Sequence, residues 1–349
     1  MIPSPTMNIL ELPNDRWGSK AACRSLRSWL QTAFVAALLA GTVAKAEPIS
    51  RAPETPTRTG GRGELPKPLP HHPGQVFLAG ESVCIPLPQA LTPAGTQWRL
   101  LDDRQQVLRS GALPADATDP RGPLRLNDLG IGWYRLEFGP TNQPDQTWTT
   151  LAVLRPLQAR TPEDSPVAVD SAAAWFAHDD VRKQQELANL AALAGVSWVR
   201  DRLRWREIQP QAGALKPPPT TYDSSADAQR DAGLQVLQVF HDTPPWAQPE
   251  AEAGGQFATD LRRVYELGRA LAVRFKGRVA AWEPWNEANV ATFGAHTVDQ
   301  MCSWQKAAWL GFKAGDPEVI VGWNATAAVP TPAHTEGVLA NETWPYFDT

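Results

Sequence analysis

The stretch AAWEPWNEAN, residues 280–289, decides how the second half of the chain is read. Two glutamates, Glu283 and Glu287, stand four residues apart with Pro284 between them. On a helix they would share one face, where like charges at that spacing repel mildly. Pro284 could then sit only in the first turn, because it has no N–H to give the ladder. On a strand, Val279 to Trp282 form the extended run and Pro284 marks its frayed end. Glu283, Trp285 and Glu287 then project alternately with their neighbours. A helix-stopping Gly277 and a short apolar run come just before, so the strand reading fits better.

Outward from this segment the rhythm is strand, helix, strand, helix. Upstream, VAVDSAAAWF (167–176) reads as a strand and loop. DDVRKQQELANLAALAG (179–195) reads as a helix with Leu187, Leu190 and Ala194 on one face, Asp179 or Asp180 as its cap and Gly195 as its end. VSWVRDRLRW (196–205) and LQVLQVFH (234–241) are strands, with a polar helix from about Tyr222 to Ala232 between them. In TDLRRVYELGRALAVRFKG (259–277), Leu261, Val264, Gly268, Leu271 and Phe275 fall at helical spacing, with Thr259 as a cap candidate. Downstream come a helix over about Val298 to Ala314, a strand in EVIVGWNATA (318–327), and the start of another in YFDT (346–349).

Such alternation implies parallel strands joined by right-handed crossovers. An open doubly wound sheet and a (β/α)8 TIM barrel both remain open. The first βα turn has no glycine-rich phosphate loop, which weighs against a dinucleotide site. A barrel takes eight strands and about 250 residues, more than residues 166–349 supply. The expected fold is therefore α/β, a TIM barrel incomplete at its C-terminus, unless the architecture is the open one.

Earlier segments differ in character. Lys20, Arg24 and Arg27 precede the apolar run WLQTAFVAALLAGTVA, which ends in Ala44-Lys45-Ala46. This pattern predicts a secretory signal over residues 1–46, cut after Ala46, and hence a secreted or periplasmic protein. The run is short for a bilayer span and contains Gln31 and Thr32, so no stable membrane insertion is expected. Residues 47–73 are rich in Pro, Thr, Arg and Gly and read as a linker, extended or disordered. Short runs with partial alternation follow, such as Trp133 to Phe138, separated by Gly, Pro, Asn and Asp. They predict a small all-β sandwich over residues 74–157, a brace or a glycan-binding module.

The segments of the second half resemble a known family. WEPWNEAN (282–289), following GVSWVRDRLRW (195–205) and VFHDTPPWA (239–247), is similar to the retaining (β/α)8 glycoside hydrolases of clan A. The likeness is nearest to family 39, the β-xylosidase and α-iduronidase type, with family 5 as a relative. It implies a glycosidase with Glu287 as general acid/base and Asn286 holding the sugar 2-hydroxyl. Arg200, with Arg202 as a possible substitute, would brace the nucleophile, and His241 and Trp246 would line the cleft. Retention takes two carboxyls roughly 5–5.5 Å apart, one protonated and one ionised. The family's nucleophile ends a seventh strand, so the resemblance places it beyond Thr349 and makes this chain a fragment. Glu283 lies on the same strand as Glu287 and reads as structural.

Indole faces suit the C–H side of a sugar, and Trp285 is a further substrate-binding candidate beside Trp246. Plainer readings stand next to these: a salt-bridged Arg200, a core His241, tryptophans that only pack. The expected partner is an oligo- or polysaccharide. The alternative is a non-catalytic carbohydrate-binding or envelope protein built on an incomplete barrel. The chain's 349 residues carry a formal net charge of −4, which gives no basic field for nucleic acid. Three cysteines and six histidines show no metal-ligand spacing, and the resemblance implies no cofactor.

Overall fold

The computed structural model describes residues 65–88, 95–113, 124–248, 256–325 and 327. All lie within one compact unit, Arg58–Thr349. The signal segment, most of the linker and the strand expected in YFDT fall outside the described residues.

Seven strands come first: β1 (Val76–Leu78), β2 (Val83–Ile85), β3 (Gln97–Leu101), β4 (Val107–Ala112), β5 (Leu124–Leu126), β6 (Gly132–Gly139) and β7 (Thr147–Leu154). Five form a sheet in the order β1-β7-β6-β3-β4, antiparallel except for the β1/β7 pair, while β2 and β5 form a second ladder. One apolar core joins them, with Phe77, Ile85, Leu100, Leu136, Phe138 and Leu151 buried. Tyr134, Leu136 and Phe138 reach that core from alternate positions of β6. Glu137 on the opposite face is buried as well, because Arg99 (2.5 Å) and Arg135 (3.0 Å) cover its carboxylate.

The parallel part contains β8 (Ala168–Asp170), α1 (Ala173–Phe176), α2 (Val181–Leu193), β9 (Trp198–Arg204), α3 (Trp205–Ile208), α4 (Thr221–Asp231), β10 (Gln235–His241), α5 (Leu261–Arg274), β11 (Ala281–Pro284), α6 (Val298–Gly315) and β12 (Ile320–Val321). The strands lie in the order β8-β9-β10-β11-β12. Each neighbours the one before it and the order never reverses. A doubly wound sheet requires a reversal, so these five strands follow the winding of a barrel wall.

Caps and stops explain the helix limits. Asp180 caps α2 by accepting from Lys183 N at 3.0 Å, and Gly195 beyond its end has φ +77°. Thr220 and Asp223 form a capping box on α4. The cap of α5 is Asp260, not Thr259. The buried positions of α2 are Gln184, Ala188, Ala192 and Leu193, whereas Leu187 and Leu190, read in the sequence as its buried face, are half-buried and Ala194 is exposed. Gln184 among them donates to Thr221 Oγ1 at the start of α4 (3.0 Å), while Leu190 packs beside Gly74. Residues 65–73, within the segment read as linker, dock on this outer side. Asn189 donates to Lys67 O (2.8 Å) and accepts from Leu69 N (3.3 Å), and His71 reaches Glu186 at 2.8 Å.

Candidate active site

Residues paired across a parallel ladder point to the same face. One face of the sheet therefore carries Asp170, Arg200, Leu237 and Ala281 in one row and Arg202, Val239 and Glu283 in the next. Arg204 and His241 stand a row above. On the opposite face Val199, Leu203, Val236, Phe240 and Trp282 enter the core under the helices. The polar face runs toward the carboxyl ends of the strands.

Glu283 and Arg200 form the centre of this face. Arg200 donates from Nε to Glu283 Oε2 (2.9 Å) and from Nη2 to Glu283 Oε1 (2.7 Å), a bidentate pair. Its Nη1 donates to Asp170 (2.8 Å), and Nη2 also reaches Asn286 Oδ1 (2.8 Å). Glu283 Oε1 accepts from Ala325 N at 3.0 Å as well. One carboxylate so ties β9, β11 and the segment after β12 together. Burial alone would lower the Arg200 pKa; the hydrogen bonds and charge of Glu283 and Asp170 outweigh it and hold it above its ordinary value.

After Pro284 the chain leaves the strand. Trp285 has φ +104° and Glu287 φ +47°, a region that side-chain-bearing residues seldom occupy. The alternation expected through Glu287 therefore stops at Pro284. The turn buries Trp285 completely, with its Nε1 donating to Phe293 O (2.9 Å) and its ring edge-on to Phe257 and Trp304. Trp285 packs behind the turn and has no face left for a ligand, which corrects its reading as a sugar platform. Asn286 is buried with its oxygen held by Arg200. Glu287 is half-buried, and among the described residues its carboxylate has no hydrogen-bond or ion-pair partner.

The other candidates are placed less directly. His241 is buried at the end of β10, with its ring 6.4 Å from Trp285 and 5.1 Å from Trp175. Its Nδ1 lies 3.1 Å from Asp242 Oδ1 without hydrogen-bond alignment, and Nε2 has no partner among the described residues. Trp246 is half-buried, edge-on to Trp205 at 5.9 Å, and donates to Gln209 O at 3.1 Å. No described contact joins Trp246 to Asn286 or Glu287.

Three residues at this rim went unremarked in the sequence. Asp170 accepts from both Arg200 and Arg202. Trp175 lies against Arg204 at 4.3 Å and Arg202 at 5.2 Å. Asp201, fully buried on the helix side, accepts from Ala174 N, Ser225 Oγ and Gln229 Nε2 and so fixes the loop that carries Trp175. Burial pushes the Asp201 carboxyl up against these hydrogen bonds. A carboxylate between two strand arginines was the one visible signal for Asp201.

A parallel, singly wound sheet with its polar residues gathered at the carboxyl ends is the framework of the clan A glycoside hydrolases, which this chain resembles. A family 39 glycoside hydrolase from the gut symbiont Bacteroides cellulosilyticus superposes with a TM-score of 0.53 at 20% identity, covering 77% of this chain and 53% of that one. The chain thus spans about half the length of that match, 53%. Shallower matches include an endoglucanase of Pseudomonas stutzeri (TM-score 0.29, 17% identity, 39% of this chain and 41% of that one). Another is a GH5 enzyme of Bifidobacterium longum (TM-score 0.33, 15% identity, 44% and 42%). No protein-family model and no curated protein matches the chain. Among the described residues no helix is long and apolar enough to cross a membrane, and no three His, Cys, Asp or Glu side chains gather as a metal site.

Proposed function

We propose that the protein is an exported glycoside hydrolase that cleaves O-glycosidic bonds by retaining double displacement on a closed (β/α)8 barrel. The observation that carries this is Glu287, a half-buried carboxylate at the carboxyl rim of a parallel sheet, with no partner among the described residues. A proton donor to a leaving oxygen needs a free carboxyl beside the cleft, not one neutralised by arginine. Glu283 is the neutralised one, and its role is to hold Arg200 and Asn286 in place.

In this reading Asn286 turns its amide NH2 to the sugar because Arg200 occupies its oxygen. Glu287 protonates the leaving group and then draws the proton from the attacking water. The partner carboxylate belongs to a strand outside the described residues. Arg200 is largely committed to Glu283 and Asp170, so any support of that nucleophile passes through one remaining Nη1 hydrogen. The all-β unit is a sandwich that braces the barrel, and the N-terminal segment exports the chain.

Glu287→Gln in the full-length protein tests the assignment. Turnover of unactivated disaccharides is expected to fall about 10²–10⁴-fold, while sugar binding measured by calorimetry survives. Unchanged turnover refutes the role. Binding by a wild type that cleaves nothing points instead to a non-catalytic sugar-binding protein.

A further inference from the structure

Two arginines and two acids on the polar face of the sheet can pair in two ways. Asp170 and Arg200 are neighbours in one row, while Arg202, Val239 and Glu283 share the next. Pairing within rows joins Arg200 to Asp170 and Arg202 to Glu283. Only Val239 stands between the latter two, across two strand spacings or about 9–10 Å, a gap that two long side chains span together. The observed pairing crosses the rows instead. Arg200 puts two N–H groups on Glu283 (2.9 and 2.7 Å) and one on Asp170 (2.8 Å). Arg202 turns the other way, to the same Asp170 oxygen at 2.6 Å.

Crossing the rows decides how Asn286 is held. Arg200 Nη2, committed to Glu283 Oε1, also donates to Asn286 Oδ1 (2.8 Å). A guanidinium has donors only, so it fixes the amide with its oxygen toward Arg200 and its NH2 away from it. In the row-wise pairing Arg202 takes Glu283, Arg200 withdraws to Asp170, and Asn286 loses that donor. Arg202 has nothing else to hold it back. Among the described residues Asp170 is its one acid partner, and its Nε is buried without a hydrogen bond. The other acids at this end of β9, Glu207 and Asp242, are already taken by Arg204, Arg206 and Tyr222.

We propose that Asp170 is a positioning residue. By holding Arg202 on the β8 side it leaves Glu283 to Arg200, and through Arg200 it sets which end of the Asn286 amide faces the substrate. Asp170 so decides which of two equivalent strand arginines serves the site. This inference rests on the reading of Asn286 and Glu287 as a glycosidase site.

Asp170→Asn keeps the shape of the side chain and removes the charge that holds Arg202. The Asp170 side chain is 39% exposed, so the variant is expected to fold. Its crystal structure reads the two arginines whether or not the protein cleaves sugars. Arg202 is expected on Glu283, with the bond from Arg200 to Asn286 Oδ1 broken. In turnover of an aryl glycoside by the full-length protein, kcat is expected to fall about 10–10²-fold with KM little changed. Adding Arg202→Met to Asp170→Asn removes the competitor for Glu283, and kcat is expected to recover most of that loss. A residue that merely anchored Arg200 would gain nothing from the removal of Arg202. Three results overturn the inference: Arg200 still on Glu283 and Asn286 in the Asp170→Asn crystal, unchanged kcat in that variant of an active protein, or a double variant no faster than Asp170→Asn. Arg202 found on Glu283 in a protein whose wild type cleaves nothing leaves the positioning role standing while the catalytic reading falls.

Discussion

Glu283 joins β9, β11 and the segment after β12, and its charge matters more than its shape. Its side chain is 6% exposed and pairs with an Arg200 side chain that is 17% exposed. Breaking a buried ion pair from one side leaves the other charge uncompensated. Glu283→Gln is expected to destabilise the protein by about 3 kcal/mol, read as a lower midpoint in denaturant unfolding. An unchanged midpoint would show that the pair is not buried in solution. The sequence supplied both partners, and the acid on the strand was read as structural. It did not show that they bind each other, since the contact spans 83 residues and depends on the sheet register. The left-handed turn at Trp285 and Glu287 was invisible for a related reason. Nothing in the residue types asks for positive φ there; the turn is imposed by the packing of Trp285 against Phe257 and Trp304.

At the scale of elements, α5 and α6 cross at small residues. A Cβ on Gly311 would run into Tyr265 O, and one on Gly315 would come within 2.5 Å of Arg269 O. Gly268 approaches Ala308 O and Phe312 N from the other helix. The crossing lets Phe312 stack on Trp282 at 4.8 Å and so supports β11 from behind. Gly311→Ala is expected to cost about 1–3 kcal/mol through overpacking, seen as a lower Tm. A neutral result would mean that the helices sit farther apart. Helical periodicity placed Gly268 on the buried face of α5, yet period alone gives no reason for a glycine. The face of α2 was misread because leucine was weighted above alanine: Leu187 and Leu190 lie half-buried, while Ala188 and Ala192 are buried.

For the whole molecule, acid stability is set in part by Asp223, which links α4 to the end of α5. Arg274 (2.5 Å) and Arg278 (3.2 Å) both hold its carboxylate. Burial alone would raise its pKa; the Arg274 and Thr220 hydrogen bonds outweigh burial and bring it from 3.8 to about 2. The unfolded chain therefore takes up the proton first. Its stabilisation is complete above pH about 4 and is lost as pH falls toward 2. Allowing for screening it amounts to roughly 1–2 kcal/mol. Asp223→Asn is expected to be less stable at pH 6 and to lose less than wild type on acidification to pH 3, measured by thermal unfolding. Parallel slopes in the two proteins would refute the linkage.

The βα alternation was legible at this scale because short extended runs such as LQVLQVFH stand between helical-period segments that end at Gly195 and Gly277. Winding was not, since strand order is decided by crossovers that leave no mark in composition. The central claim is that Glu287 is the acid/base of a retaining glycosidase. Its most direct test is azide rescue of Glu287→Ala in the full-length protein on a dinitrophenyl glycoside. The account predicts that azide accelerates turnover and yields a glycosyl azide of the same anomeric configuration as the substrate. No acceleration, or an azide product of inverted configuration, would contradict it.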